Sequence, residues 1–89
     1  MARHISALKR ARQNKKRRLR NQSRKTRVKS VVREVRQAMA KRDAAGAETA
    51  LTKAVPVIAQ VAGKGTLHWR AAARKISRIT RQVNALKSA

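Results

Sequence analysis

The run from Arg3 to Lys29 decides what this chain can fold into. It carries Arg3, Lys9, Arg10, Arg12, Lys15, Lys16, Arg17, Arg18, Arg20, Arg24, Lys25, Arg27 and Lys29, and no acidic residue appears before Glu34. No glycine or proline appears before Gly46. Nothing here breaks a helix, so one long helix is allowed. On a projection at roughly 100° per residue, Arg10, Lys15, Arg18 and Arg20 leave that helix in four quadrants. A membrane-surface or coiled-coil helix keeps an apolar face clear. This one does not. Charge on every side suits a rod lodged among phosphates.

The rest of the composition sharpens that reading. Over 89 residues, 25 Lys and Arg stand against 3 acids, for a net charge of +22. Self-repulsion on that scale opposes compaction, and a polyanionic partner is its simplest physical reason. The length is enough for one small domain, residues 1–89. Core-forming side chains are few: 8 Val, 4 Ile, 5 Leu, Met39 and Trp69 beyond the initiator, with some of these inside the basic run. The 17 alanines add helix propensity but little buried area. The expected fold is marginal, stabilised by its partner through mass action.

No cysteine is present, so disulfide and thiolate chemistry are excluded and a reducing compartment suits the chain. The basic N-terminus is not followed by an apolar stretch of the secretory kind. No window approaches the roughly 18 to 20 apolar residues that span a bilayer. A soluble, cytoplasmic protein is expected.

The apolar spacing predicts an all-α protein: an antiparallel three-helix bundle with a long, protruding, basic first helix. The first helix is expected from about Ser6, as N-cap, to Lys41, roughly 50 Å at 1.5 Å per residue. Val28, Val31, Val32, Val35 and Met39 share one face of it, whereas Ile5, Leu8 and Leu19 lie nearly opposite. The N-terminal half therefore overhangs the core. The second helix is expected over about 44–62, capped by Asp43 or starting at Gly46, with a kink at Pro56. Ala47, Leu51, Ala54, Ile58 and Val61 form its apolar face, and Lys53 is the only cation between Ala47 and Ala62. The Gly63-Lys64-Gly65 stretch ends it, and Thr66 is expected to cap a third helix over about 67–86. There Ala72, Ile76, Ile79, Val83 and Leu86 form a strict seam. Arg70, Arg74, Arg78 and Arg81 occupy the other side, with Lys75 at its edge.

Each candidate motif has a plainer reading beside it. The basic run is expected to be a solvated, disordered segment in the free chain, because like charges repel, and to fold as it binds nucleic acid. Phosphate contacts position a protein without reading sequence, and the absence of Phe and Tyr, with a single Trp, argues against a recognition sheet or a single-strand stacking platform. Folded RNA or a duplex backbone is the expected target. The Gly63-Lys64-Gly65-Thr66 segment fails the G-x-x-x-x-G-K-[ST] pattern, since Ile58 stands at the first glycine and Gly65 at the Ser/Thr; a helix–helix turn explains it. His4 and His68 have only Glu34, Asp43 and Glu48 as companions, too few for a metal or acid–base site. No cofactor, metal or catalytic residue is assigned. His68 is read equally as a phosphate contact or as an exposed or capping histidine. Trp69 is expected to pack at the core edge rather than stack on a base or sugar.

The residues also point to a family. His4-Ile5-Ser6-Ala7-Leu8-Lys9-Arg10, the run Arg17-Arg18-Leu19-Arg20-Asn21-Gln22-Ser23-Arg24-Lys25, and Gly65-Thr66-Leu67-His68 followed by Ala72-Ala73-Arg74 and Ser77 span nearly the whole chain. Together with the length, the Asp43 cap and Pro56, they resemble the bacterial small-subunit ribosomal protein family numbered twenty. The resemblance implies a three-helix bundle that binds 16S ribosomal RNA directly, low on the body of the small subunit. There it would lie between the 5′ domain and the long penultimate RNA helix, beside other small-subunit components, without membrane or homo-oligomeric partners. Carried over by position, Ser6, Lys9, Arg10, Arg17, Arg20, Asn21 and Ser23 are the implied first-helix contacts, with His68 and Arg74 from the third. Members of that family often continue the Gly-x-x-His element with Lys, Asn and Lys, where this chain has Trp69, Arg70 and Ala71.

Three other functions make different demands. A nucleoid protein would coat any duplex DNA with comparable affinity. A membrane-active helix would need a broad apolar face in the first 30 residues, which the scattered cations deny. An enzyme would need a cluster of acid, base and nucleophile that this chain lacks.

Overall fold

The run without breakers is helical along its whole length. The computed structural model describes residues 2–88, with side chains from residue 5 onward, and gives three helices: α1 (Ala2–Ala40), α2 (Ala44–Gly63) and α3 (Trp69–Ser88). Helix α1 begins upstream of Ser6, so Ser6 is not its cap. Ala2 and Arg3 are good helix formers, and no glycine or proline before Ser6 delays the start. Every described side chain from residue 5 to 23 is exposed, and burial on α1 begins at Val28. Residues 5–20 alone make about 24 Å of helix beyond the bundle. The molecule measures 67 × 22 × 14 Å with a radius of gyration of 17.9 Å. A compact chain of this length would have about 12 Å.

Three apolar faces meet where the periodicity places them. Val28, Val31, Val32 and Val35 from α1 pack with Ala47, Ala54, Ile58 and Val61 from α2 and Ala72, Ile79 and Val83 from α3. Met39, Leu51, Ile76 and Leu86 are half-buried around them. Val35, Ile58 and Val83 are fully enclosed. Val57 adds a buried side chain beside the expected α2 stripe. Most of the packing joins α1 to α2, then α2 to α3, while α1 and α3 touch sparingly and leave a groove between them.

The turns follow from local hydrogen bonding. At the end of α1 the Asp43 N–H donates to the Ala38 carbonyl and the Arg42 N–H to that of Met39, each at 3.0 Å. This is a Schellman closure, and it puts Arg42 in the left-handed region at φ 55° where glycine is usual. Asp43 then caps α2, its Oδ1 accepting from the Gly46 N–H at 3.0 Å. A Cβ at Gly46 would meet that carboxylate, which would have to turn aside to make room. Helix α2 continues unbroken through Pro56, whose ring denies the Thr52 carbonyl its helical donor. Past Gly63, the Lys64 and Gly65 N–H groups bond back to the Gln60 and Ala62 carbonyls, with Gly65 at φ 79°. Those amides close a helix end instead of cradling a phosphate.

Two expectations about α3 are corrected. Thr66 does not cap it. His68 does: its carbonyl accepts from the Ala72 N–H at 3.0 Å and its Nδ1 from the Arg70 N–H at 3.1 Å. Trp69 does not pack at the core edge but is 65% exposed. The loop delivers Leu67 to that end of the core instead, against Val28 and Val61.

Candidate nucleic-acid interface

The overhang gathers most of the cations expected to bind phosphate. Lys9, Arg10, Arg12, Lys15, Lys16, Arg17, Arg18, Arg20, Lys25, Arg27 and Lys29 are all exposed, as are Ser6, Asn21 and Ser23. Arg24 alone is half-buried. Arg3, and His4 with it, lies outside the described side chains. Helix formation explains the all-round display, because consecutive cations step around the axis. Arg17, Arg18 and Lys25, with Asn14, Asn21 and Gln22, surround Leu19 in an open groove. Leu19 remains 55% exposed, an apolar body among charged tips.

The acids are held away from this surface. Glu34 pairs with Lys53 at 3.4 Å, joining α1 to α2, and Glu48 pairs with Lys87 at 3.0 Å, joining α2 to α3. Asp43 is committed to its cap. All three acids of the chain are thus engaged near the bundle, and among the described residues no cation of the overhang has an acidic partner. Each exposed pair contributes at most about 1 kcal/mol. Their larger effect is to keep carboxylates off the cationic face.

The arm meets the α2–α3 loop at one place. Thr66 Oγ1 donates to Asn21 Oδ1 at 3.2 Å and accepts from Arg24 Nη1 at 3.3 Å. Asn21 and Arg24 are therefore anchored to the bundle, while residues 5–20 extend past it.

On α3, Arg70, Arg74, Arg78 and Arg81 are exposed on the face away from the core. Lys75 stands apart from them and faces α1. Together with Lys25 and Lys29 it rims a cavity of about 160 Å³ floored by Val28, Val61 and Leu67. The groove continues along Val32 past Arg33 and Arg36. Sequence reasoning missed those two arginines. The signal was present: Lys25, Lys29, Arg33 and Arg36 recur at spacings of four, four and three along one flank of the valine stripe. His68 is exposed but spends Nδ1 on the helix cap. The structure therefore separates the candidates into the arm, the outer face of α3 and the groove between α1 and α3. Among the described residues no cluster of three potential metal ligands occurs, and no helix is long and apolar enough to cross a membrane.

The sequence, compared with known proteins, points to one family. A family model described as ribosomal protein S20 matches residues 2–84. A small ribosomal subunit protein bS20 from Solidesulfovibrio magneticus is 52% identical, covering 100% of both chains. That of Nitratidesulfovibrio vulgaris (Miyazaki F) is 49% identical over 98% of this chain and 100% of the relative. A third, from Maridesulfovibrio salexigens, is 54% identical over 94% of this chain and 97% of the relative. With a cationic overhang, a three-helix core and similarity along nearly its full length, the chain belongs to the ribosomal protein S20 family.

Proposed function

We propose that this protein is a structural, non-enzymatic constituent of the bacterial small ribosomal subunit that binds 16S ribosomal RNA directly and holds separate RNA segments together during assembly. The observation that carries the reading is the overhang. Along residues 5–23 every side chain is exposed, and no cation there has an acidic partner among the described residues. A helix of that kind has no use for itself in water. Among phosphates each cation releases counterions and offsets repulsion between RNA segments.

The arm reaches beyond the bundle while α3 presents Arg70, Arg74, Arg78 and Arg81 elsewhere, so two RNA segments can be held at once. The finer assignment, with the 5′ domain on one side and the long penultimate helix on the other, rests on the family resemblance. Lys25, Lys29 and Lys75, extended by Arg33 and Arg36, form a third contact along the groove. The protein works in the cytoplasm, where the subunits are built.

The test is cosedimentation with small ribosomal subunits after a high-salt wash, together with binding to folded 16S RNA under excess duplex DNA. Retention in the subunit and resistance to DNA competitor are expected. Recovery in the DNA fraction with no preference for folded RNA would instead make it a nucleoid protein.

A further inference from the structure

Trp69 is the one large aromatic ring in the chain, and it stands outside the hydrophobic core. It is 65% exposed, because Leu67 has taken the place at that end of the core. Yet its surroundings are ordered. The Arg70 guanidinium lies over the ring, its carbon 5.2 Å from the centroid. The His68 imidazole stacks beside it, with centroids 5.8 Å apart and planes inclined by 25°. His68 is itself fixed by the bond from the Arg70 N–H to its Nδ1. Arg74 is exposed one turn further along α3.

We propose that Trp69, flanked by His68 and Arg70, is a platform on which one unpaired nucleobase of the bound RNA stacks. This rests on the RNA-binding reading above and goes beyond it, since the cations account for phosphate contacts and not for a base contact. Arg70 covers part of one face of the indole, so a base stacks on the exposed remainder or by displacing the guanidinium, and such stacking is favourable whichever base is present. The cations beside it suit the phosphates that must flank such a base. An apolar protein surface is a poorer match, because it would desolvate Arg70 with no acid to compensate. The three acids of this chain are occupied elsewhere. One ring serves one base, in keeping with the absence of Phe and Tyr.

The full-length protein is tested against a folded 16S RNA transcript. Trp69 is the only tryptophan and there is no tyrosine, so intrinsic emission reports this site alone. Stacking predicts static quenching on binding and protection from acrylamide. Trp69→Ala should weaken binding by about 5- to 100-fold, with the salt dependence unchanged because no phosphate contact is lost. Trp69→Phe should retain most of the affinity. Arg74→Gln, in contrast, should reduce the salt slope by about 0.7 to 0.9. Circular dichroism verifies that each variant keeps its helices. Tight RNA binding with unquenched, acrylamide-accessible emission, or Trp69→Ala binding like the parent, overturns the platform and leaves the RNA-binding reading intact. Protection of Trp69 only in assembled subunits, not with RNA alone, places a protein on the ring and also overturns it. A parent protein that does not bind the transcript removes both readings.

Discussion

Thr66 and Asn21, 45 positions apart in sequence, are joined by a 3.2 Å hydrogen bond from the threonine hydroxyl to the amide oxygen. The same hydroxyl accepts from Arg24 at 3.3 Å. This small network marks where α1 leaves the bundle. On one side the helix is packed, and on the other it is supported only by its own backbone and by what it binds. Thr66→Ala should cost about 0.5–1.5 kcal/mol in chemical denaturation. It should also speed amide exchange around residues 21–24, with Thr66→Ser restoring most of the protection.

Arg42 holds a left-handed conformation that an L side chain adopts at a cost. Replacing it with glycine removes that cost without touching the two backbone bonds of the closure. Arg42→Gly should raise stability by about 0.5–1 kcal/mol, and Arg42→Val should lower it, both read from denaturation midpoints.

Asp43 serves two helices: its N–H closes α1 and its carboxylate opens α2. Asp43→Ala should cost about 0.5–2 kcal/mol, the range of a lost N-cap. Asp43→Asn should recover most of it, since the amide oxygen can accept from Gly46.

The core and the arm should respond oppositely to truncation. Ile58 is fully enclosed, so Ile58→Ala should cost about 2–5 kcal/mol and leave a fold this small largely unfolded at moderate temperature. Leu19 is 55% exposed. Leu19→Ala should leave the thermal midpoint of the free protein unchanged, and any effect should appear in RNA affinity.

Much of this was legible in the chain itself, for a physical reason. The faces Val28-Val31-Val32-Val35, Ala47-Ala54-Ile58-Val61 and Ala72-Ile79-Val83 are periodic, and burial on a helix is a periodic property. The Asp43 cap was legible because capping is local chemistry. The rest depends on contacts between distant positions. Thr66 looked like a helix cap beside its neighbours, yet its partners are Asn21 and Arg24 on another helix. Trp69 lay near the core edge on a helical projection, but a projection gives direction without saying which residue reaches that level of the core. Leu67 does. Arg42 takes the left-handed position that glycine usually fills, because closing the turn matters more than the strain of one residue. For the interface, the run of cations announced the arm, whereas the groove formed by Lys25, Lys29, Arg33, Arg36 and Lys75 needs α1 and α3 side by side.

The most direct test of a cationic strut set among RNA phosphates is the salt dependence of its affinity for folded 16S RNA. With roughly 8 to 12 phosphates engaged, at about 0.7 to 0.9 each, log K against log salt should fall with a slope of about −6 to −11. A slope shallower than about −3, at any affinity, would mean that the thirteen cations between Arg3 and Lys29 are not where the RNA is held.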